Sequence, residues 1–194
     1  MMRVIAFNGS ARKDGNTAIL IRQVFAELNR EGIETELVQL AGKTIAGCIG
    51  CGVCGVNKVK RCAIKTDAAN KCIEKMLAAD GIILASPVYF ADITANVKAL
   101  MERAGMVGKR NDHMFRRKVG AAVVAVRRGG AMHAFDSLNH FFFIEQMIVP
   151  GSSYWNIGIG LQPGDVNQDE EGLGTMKDLG ENMAWLLKKV HSRE

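Results

Sequence analysis

No run of apolar residues in this chain approaches the ~18 needed to span a bilayer; the strongest, Val119 to Val126, is eight residues long. Nor does one sign of charge dominate. Lys and Arg number 25 against 20 Asp and Glu, a formal +5, and the sequence pI is near 9.0. So small an excess favours anionic small molecules or nucleic acid only weakly. With 48% hydrophobic and 23% charged residues, a disordered chain is excluded. Met1 to Phe7 leads directly into Asn8-Gly9-Ser10 without an apolar leader and cleavage site, so no signal peptide is expected. Repeats, low-complexity tracts and domain linkers are also missing. At ~150 residues per domain, the 194 residues imply one domain over 1–194, and a cytoplasmic location is expected.

What the chain does hold is glycine and clustered cysteine. Glycine accounts for 21 residues, well above the usual ~7%, and glycines permit tight turns and close backbone approach to ligands. The five cysteines stand at 48, 51, 54, 62 and 72. Disulfides are not expected in a cytosolic chain of this size, where such crowding points to metal or redox chemistry.

Apolar runs at Val4–Phe7, Gly81–Ser86, Val119–Val126 and Ser153–Ile157 predict buried strands, and Glu34–Leu40 predicts an edge strand. Helical periodicity lies between them. Ile21, Val24, Phe25 and Leu28 share one face of Thr17–Glu31, ended by Gly32. Asp67 is expected to cap a second helix bearing Ala69, Cys72, Ile73 and Met76; a third follows Asp92, a fourth covers about Ala131–Met147, and a last runs from Thr175 to Val190. This alternation implies parallel strands with crossover helices on both faces, the doubly wound arrangement in strand order 2-1-3-4-5. Ligands of that arrangement bind at the switch point between strands 1 and 3. Residues 41–66 show no period, and a structureless stretch that long is usually functional. The carboxylates of Asp165–Gly172 suit the positive end of the last helix.

At the first strand–helix turn stands Gly9-Ser10-Ala11-Arg12-Lys13-Asp14-Gly15-Asn16-Thr17. The unpaired N–H groups and partial positive charge of a helix start suit a phosphate. Ser10 and Thr17 add hydroxyls, Asn16 an amide, Arg12 a planar cation, and Gly15 a tight turn. No Gly-Lys-Ser/Thr end is present, so this is not an ATPase-type loop, and the dinucleotide Gly-x-Gly-x-x-Gly is missing as well. A polar turn capped by Thr17 is the plainer alternative. Strand 3 ends in Ser86-Pro87-Val88-Tyr89-Phe90 and strand 4 in Arg127-Arg128-Gly129-Gly130, both at the same edge of the sheet.

The first loop resembles the Gly-Ser-x-Arg-x-x-Gly-Asn-Thr signature of the flavodoxin-like, NAD(P)H-dependent FMN reductases and iron–sulfur flavoproteins. The resemblance implies that this loop holds the FMN phosphate. It further implies that Pro87, Val88, Tyr89 and Phe90 form the flavin loop, their N–H groups facing its polar edge and an aromatic ring packing on it. By the same resemblance Arg127, Arg128, Gly129 and Gly130 are expected to form a third flavin contact, with the arginines either holding a nucleotide's phosphates or facing solvent. Tyr154-Trp155-Asn156 also resembles the family, but core and interface packing is the expectation there.

Cys48, Cys51, Cys54 and Cys62 are spaced C-x2-C-x2-C-x7-C. Consecutive two-residue gaps let thiolates curl around one cubane, whereas structural zinc normally uses separated pairs. The spacing resembles the compact motif of the iron–sulfur flavoproteins, its last gap at the long end of their range, and implies a [4Fe–4S] cluster; zinc or free thiols remain the alternatives. Cys72, on an apolar helix face, is expected in the core. The histidines at 113, 133, 140 and 191 show no paired acid or metal spacing, and Lys109, Arg110, Arg116, Arg117 and Lys118 read as a solvated or subunit-facing loop rather than a nucleic-acid site. Phe141-Phe142-Phe143-Ile144 is apolar on all sides of its helix and is expected to be buried between subunits.

The resemblance spans nearly the whole chain. It implies an FMN oxidoreductase whose cluster links two-electron donors such as NAD(P)H to one-electron partners such as a ferredoxin-like carrier, as a homodimer or homotetramer, with no acid–base catalytic residue. A cluster-free NAD(P)H reductase acting on quinones, metals or free flavin is the first alternative. A flavin-free, zinc-stiffened module binding an acidic partner is the second.

Overall fold

The computed structural model describes residues 1–191. Five strands, β1 (Arg3–Asn8), β2 (Glu34–Gln39), β3 (Gly81–Pro87), β4 (Val119–Val126) and β5 (Ile157–Ile159), form one parallel sheet in the order β2-β1-β3-β4-β5. Helices α1 (Asn16–Arg30), α2 (Val53–Asn57), α3 (Ala69–Ala78), α4 (Ala95–Arg110), α5 (Ala131–Ile144) and α6 (Glu170–His191) complete it. This is the doubly wound, flavodoxin-like order that the strand–helix alternation predicts.

Alternate strand residues feed two cores. Ile5, Phe7, Ile82, Leu84, Ala122 and Val124 pack with α3, α4 and α5. Val4, Ala6, Ile83, Ala85, Ala121 and Val123 pack with α1 and α6 on the other face. All eight residues of β4 are buried, which is why that segment reads as an unbroken apolar run rather than an alternating one.

Several boundaries differ from the expectations above. The last strand is the three residues Ile157–Ile159, not Ser153–Ile157. Tyr154 and Trp155 form a coil before it, both substantially exposed, Trp155 with its ring 6.2 Å from that of Phe135. Helix α6 begins at Glu170, ahead of the predicted Thr175, because Asp169 Oδ1 accepts the Gly172 N–H at 3.0 Å and caps it. Asp67 accepts the Ala69 N–H at 3.0 Å, one position outside the α3 cap. The 41–66 stretch contains the single turn and a half of α2.

Two readings of the charged residues are corrected. His133 Nε2 lies 3.5 Å from Asp92 Oδ2 and His191 Nε2 3.5 Å from Asp80 Oδ1, so neither lacks an acid. Lys118 is no solvated loop residue: its Nζ donates to the Leu77 and Ala79 carbonyls at the α3 C-terminus, and burial pushes its pKa down. Of the four apolar residues closing α5, Phe141 and Phe142 are buried, while Phe143 and Ile144 face outward. Cys72 is buried in the core, as expected. No helix among the described residues is long and apolar enough to cross a membrane.

Candidate functional site

Parallel pairing aligns the strand C-termini, so the loops after β1, β3 and β4 emerge along one edge. Gly9 binds the first two loops together. Its N–H donates to Ala85 O at 2.8 Å, and its carbonyl accepts the Thr94 hydroxyl at 3.0 Å. A Cβ there would lie 2.2 Å from Val97 Cγ2, so only glycine lets β1 approach α4 this closely.

Beyond Gly9 the loop is held from below. Asn8 Oδ1 accepts the Ser10 N–H at 3.0 Å, Gln39 Nε2 donates to Ser10 O at 2.6 Å, and Ser10 Oγ accepts the Arg12 N–H at 3.1 Å. Above, the N–H groups of Lys13, Asp14, Asn16 and Thr17 take no acceptor among the described residues. These N–H groups, at and just before the start of the fifteen-residue α1, make a donor array suited to an anion.

Ser10, Arg12, Asn16, Thr17, Pro87, Val88, Tyr89 and Arg127 line one cavity of about 210 Å³. Three loops far apart in sequence thus converge on one space. Gly15, Phe90, Arg128, Gly129 and Gly130 stand outside its lining. Gly15 is the extended N-cap of α1, its carbonyl accepting from Ala18 and Ile19. Phe90 is fully exposed at φ 48°. Gly130, at φ +86°, packs so close to the turn after β3 that a Cβ would sit 2.7 Å from Ala91 Cα.

Two donor assignments change. Asn16 is not free to hold an anion with its amide: Nδ2 donates to Gln162 O at 2.9 Å, and Oδ1 accepts the Gly164 N–H at 2.9 Å. The N–H groups of Val88 and Tyr89 are also committed, to Ala125 O at 2.9 Å and Asp92 O at 2.8 Å. Those of Phe90, Ala91, Arg128, Gly129 and Gly130 have no acceptor among the described residues. Ala125, Gly160 and Leu161 line the cavity too, and sequence reasoning missed them. The available signal was Gly158-Ile159-Gly160, since a Cβ on Gly160 would lie 2.7 Å from Asn16 Nδ2.

Cys48, Cys51, Cys54 and Cys62 line a second, much smaller cavity of about 10 Å³, closed by Ile49, Ile64, Met106, Val107 and Arg103. Cys54 is buried, Cys48 and Cys62 half-buried and Cys51 exposed, all with free thiols. Burial pushes the Cys54 thiol up, and Cys62 adds to the rise. No three His, Cys, Asp or Glu side chains among the described residues are arranged to hold a metal ion. Asp67 stands beside the cavity. Burial works to raise its pKa, yet the Arg103 guanidinium and the Ala46 and Ala69 N–H groups prevail and hold it below the usual carboxylate range.

A doubly wound sheet with an anion-accepting helix start at its switch point is an architecture that binds phosphate-bearing ligands such as nucleotides and flavins. The sequence profile of the NADPH-dependent FMN reductases matches residues 2–162. An iron–sulfur flavoprotein of Methanocaldococcus jannaschii is 40% identical over 97% of this chain and 99% of its own. One from Methanosarcina thermophila is 31% identical over 97% of each. Among solved structures, RosB with a bound flavin-derived intermediate superposes at a TM-score of 0.74, with 18% identity over 98% of this chain and 80% of its own. The apo NADH:FMN oxidoreductase EmoB superposes at 0.67, with 14% identity over 100% and 92%. The chain belongs to the NADPH-dependent FMN reductase family. It is an FMN-dependent flavin oxidoreductase, and the flavin-free binding module is thereby set aside.

Proposed function

We propose that the 210 Å³ cavity holds FMN, and that Cys48, Cys51, Cys54 and Cys62 are the ligands of a [4Fe–4S] cluster that exchanges single electrons with a carrier. The observation that carries the reading is the convergence of the three loops on one cavity beside the start of α1, where N–H donors stand unpaired among the described residues. When bound, FMN exchanges two electrons as a hydride and releases them singly, and a cluster passes one at a time.

The chain's own residues bind and orient. The Ser10 and Thr17 hydroxyls and the N–H groups of Lys13, Asp14, Asn16 and Thr17 take the phosphate, with Arg12 adding charge at the cavity mouth. Asn16 holds the segment after β5 as the far wall. Pro87, Val88 and Tyr89 form the opposite wall, Tyr89 half-exposed and available to stack on a ring. The free N–H groups of Phe90 and of Arg128 to Gly130 serve the flavin's polar edge, or the phosphates of NAD(P)H together with the arginine side chains.

Four sulfur donors facing one cavity with a buried cation in its wall suit an anionic thiolate-ligated cluster, and the loop carrying Cys48 and Cys51 has no regular structure to fix their spacing. A cleft of about 710 Å³ reaches Cys62 from outside and bears Arg61, Lys65 and Lys71, which favours an acidic one-electron partner of ferredoxin type. Outward-facing Phe143 and Ile144 support assembly into dimers or tetramers.

Anaerobic purification followed by flavin, iron and sulfide analysis tests the reading. One FMN and one four-iron cluster per chain are expected. Flavin without iron after reconstitution selects the cluster-free NAD(P)H:FMN or quinone reductase, and a colourless protein overturns both.

A further inference from the structure

Arg103 lies midway along α4 with its side chain fully buried. A guanidinium carries five N–H donors and no acceptor, and each donor left unmatched away from water is destabilising. Here each of the five has a partner. Nε donates to Cys62 Sγ at 3.0 Å. Nη1 donates to Ala46 O at 3.0 Å and Asp67 Oδ2 at 2.8 Å. Nη2 donates to Ile64 O at 3.2 Å and Asp67 Oδ1 at 3.4 Å.

Every one of those acceptors lies between residues 46 and 67, the segment that carries the four cavity-lining cysteines. Asp67 clamps the other end, accepting the N–H groups of Ala46 and Ala69 at 3.0 Å each. A buried ion pair is a poor source of stability, since apolar side chains of similar volume often serve as well. An apolar side chain cannot, however, donate a hydrogen bond to a sulfur.

We propose that Arg103 is a positioning residue for the cysteine-bound cluster: it seats Cys62 as the fourth ligand and, through Nε–H on that sulfur, raises the cluster's reduction potential. The inference rests on the cluster reading above. A donor to a ligand sulfur draws off negative charge and so favours the reduced, more negative form. The Asp67 carboxylate, held on the same guanidinium, opposes that effect.

The two members of the pair therefore predict shifts of opposite sign. Arg103→Lys keeps the positive charge but loses the planar fork that reaches Cys62, so the midpoint potential falls. Asp67→Asn keeps an acceptor oxygen and removes a negative charge, so the midpoint rises. The measurements are iron and FMN per chain, thermal transition, and midpoint by spectroelectrochemical titration, on each full-length variant reconstituted anaerobically. Arg103→Lys protein that loses iron while keeping FMN and its transition supports the seating role. Unchanged iron and an unchanged midpoint in Arg103→Lys overturn the inference. Should that variant fail to fold, an unmoved or lowered midpoint in Asp67→Asn overturns it instead. Wild-type protein that takes up flavin but no iron overturns the cluster reading itself, a result distinct from a wild-type cluster indifferent to both substitutions.

Discussion

Asn16, at the start of α1, accepts the Gly164 N–H at 2.9 Å across 148 residues of chain. With its Nδ2 on Gln162 O, the side chain ties the phosphate-loop helix to the segment after β5. Asn16→Ala is expected to cost about 1–3 kcal/mol of stability, because buried donors and acceptors lose their partners. FMN affinity falls with it. Arg12, exposed and bonded only weakly to Leu161 O at 3.3 Å, behaves differently. Arg12→Ala should weaken FMN binding roughly tenfold while leaving the unfolding midpoint in place. Fluorescence titration with FMN and denaturant melts on both variants separate the two roles; equal stability loss in both would refute the division.

Gly130 marks a point where the second and third loops touch. Its φ of +86°, and the 2.7 Å that would separate a Cβ at this position from Ala91 Cα, leave no room for a side chain. Gly130→Ala should destabilise by about 1–3 kcal/mol and lower FMN affinity by displacing the 88–91 turn. A thermal melt with and without FMN reads both effects, and an unaltered melt means the loops yield more easily than their packing implies.

Cys51 and Cys72 provide a matched pair. Cys51 lines the four-thiol cavity, whereas Cys72 is buried between α3 and the sheet. Cys51→Ala is expected to abolish stable iron binding and retain FMN. Cys72→Ala should retain both cofactors and lose only about 1 kcal/mol of stability. Iron retained in Cys51→Ala would remove this thiol from the ligand set.

Glu145 closes α5 with Oε2 buried and unpartnered among the described residues. Burial raises its pKa to about 7, with Lys109 opposing. In the unfolded chain the carboxyl ionises near 4.5, so from there to about pH 7 the unfolded state gives up a proton that the folded state keeps. Stability therefore declines with rising pH across that window, by at most about 3.5 kcal/mol at ~1.4 kcal/mol per pKa unit. Glu145→Gln should melt higher than wild type at pH 8 and with it at pH 4. Parallel melts of the two proteins across that range would contradict the assignment.

Much of this architecture was legible because buried parallel strands are written as apolar runs: Val4–Phe7, Gly81–Ser86 and Val119–Val126 each mark a strand. The fifth strand was misplaced because Tyr154 and Trp155 supply apolar character without pairing, while the true strand is three residues centred on Gly158. Helix α2 is too short for periodicity to register. At the candidate site most of the lining residues were foreseen, while Ala125, Gly160, Leu161 and the hydrogen-bond commitments were not. Nothing local distinguishes an Asn16 that binds an anion from one spent on Gly164. Arg103 was invisible for a related reason: beside Glu102 it reads as one more charged helix residue, and only tertiary packing shows its fork enclosed.

The sheet's two margins have a bearing on how this protein behaves when crowded. One is only three residues long at β5, and the other, β2, presents Glu34 and Glu36, the latter gripping both Arg3 and Lys75. Neither offers a long, flat, uncharged backbone ledge on which a second chain could continue the hydrogen-bonded ladder. Concentrated preparations should thus resist fibrous, sheet-to-sheet association, leaving contacts between copies to side chains on the helices.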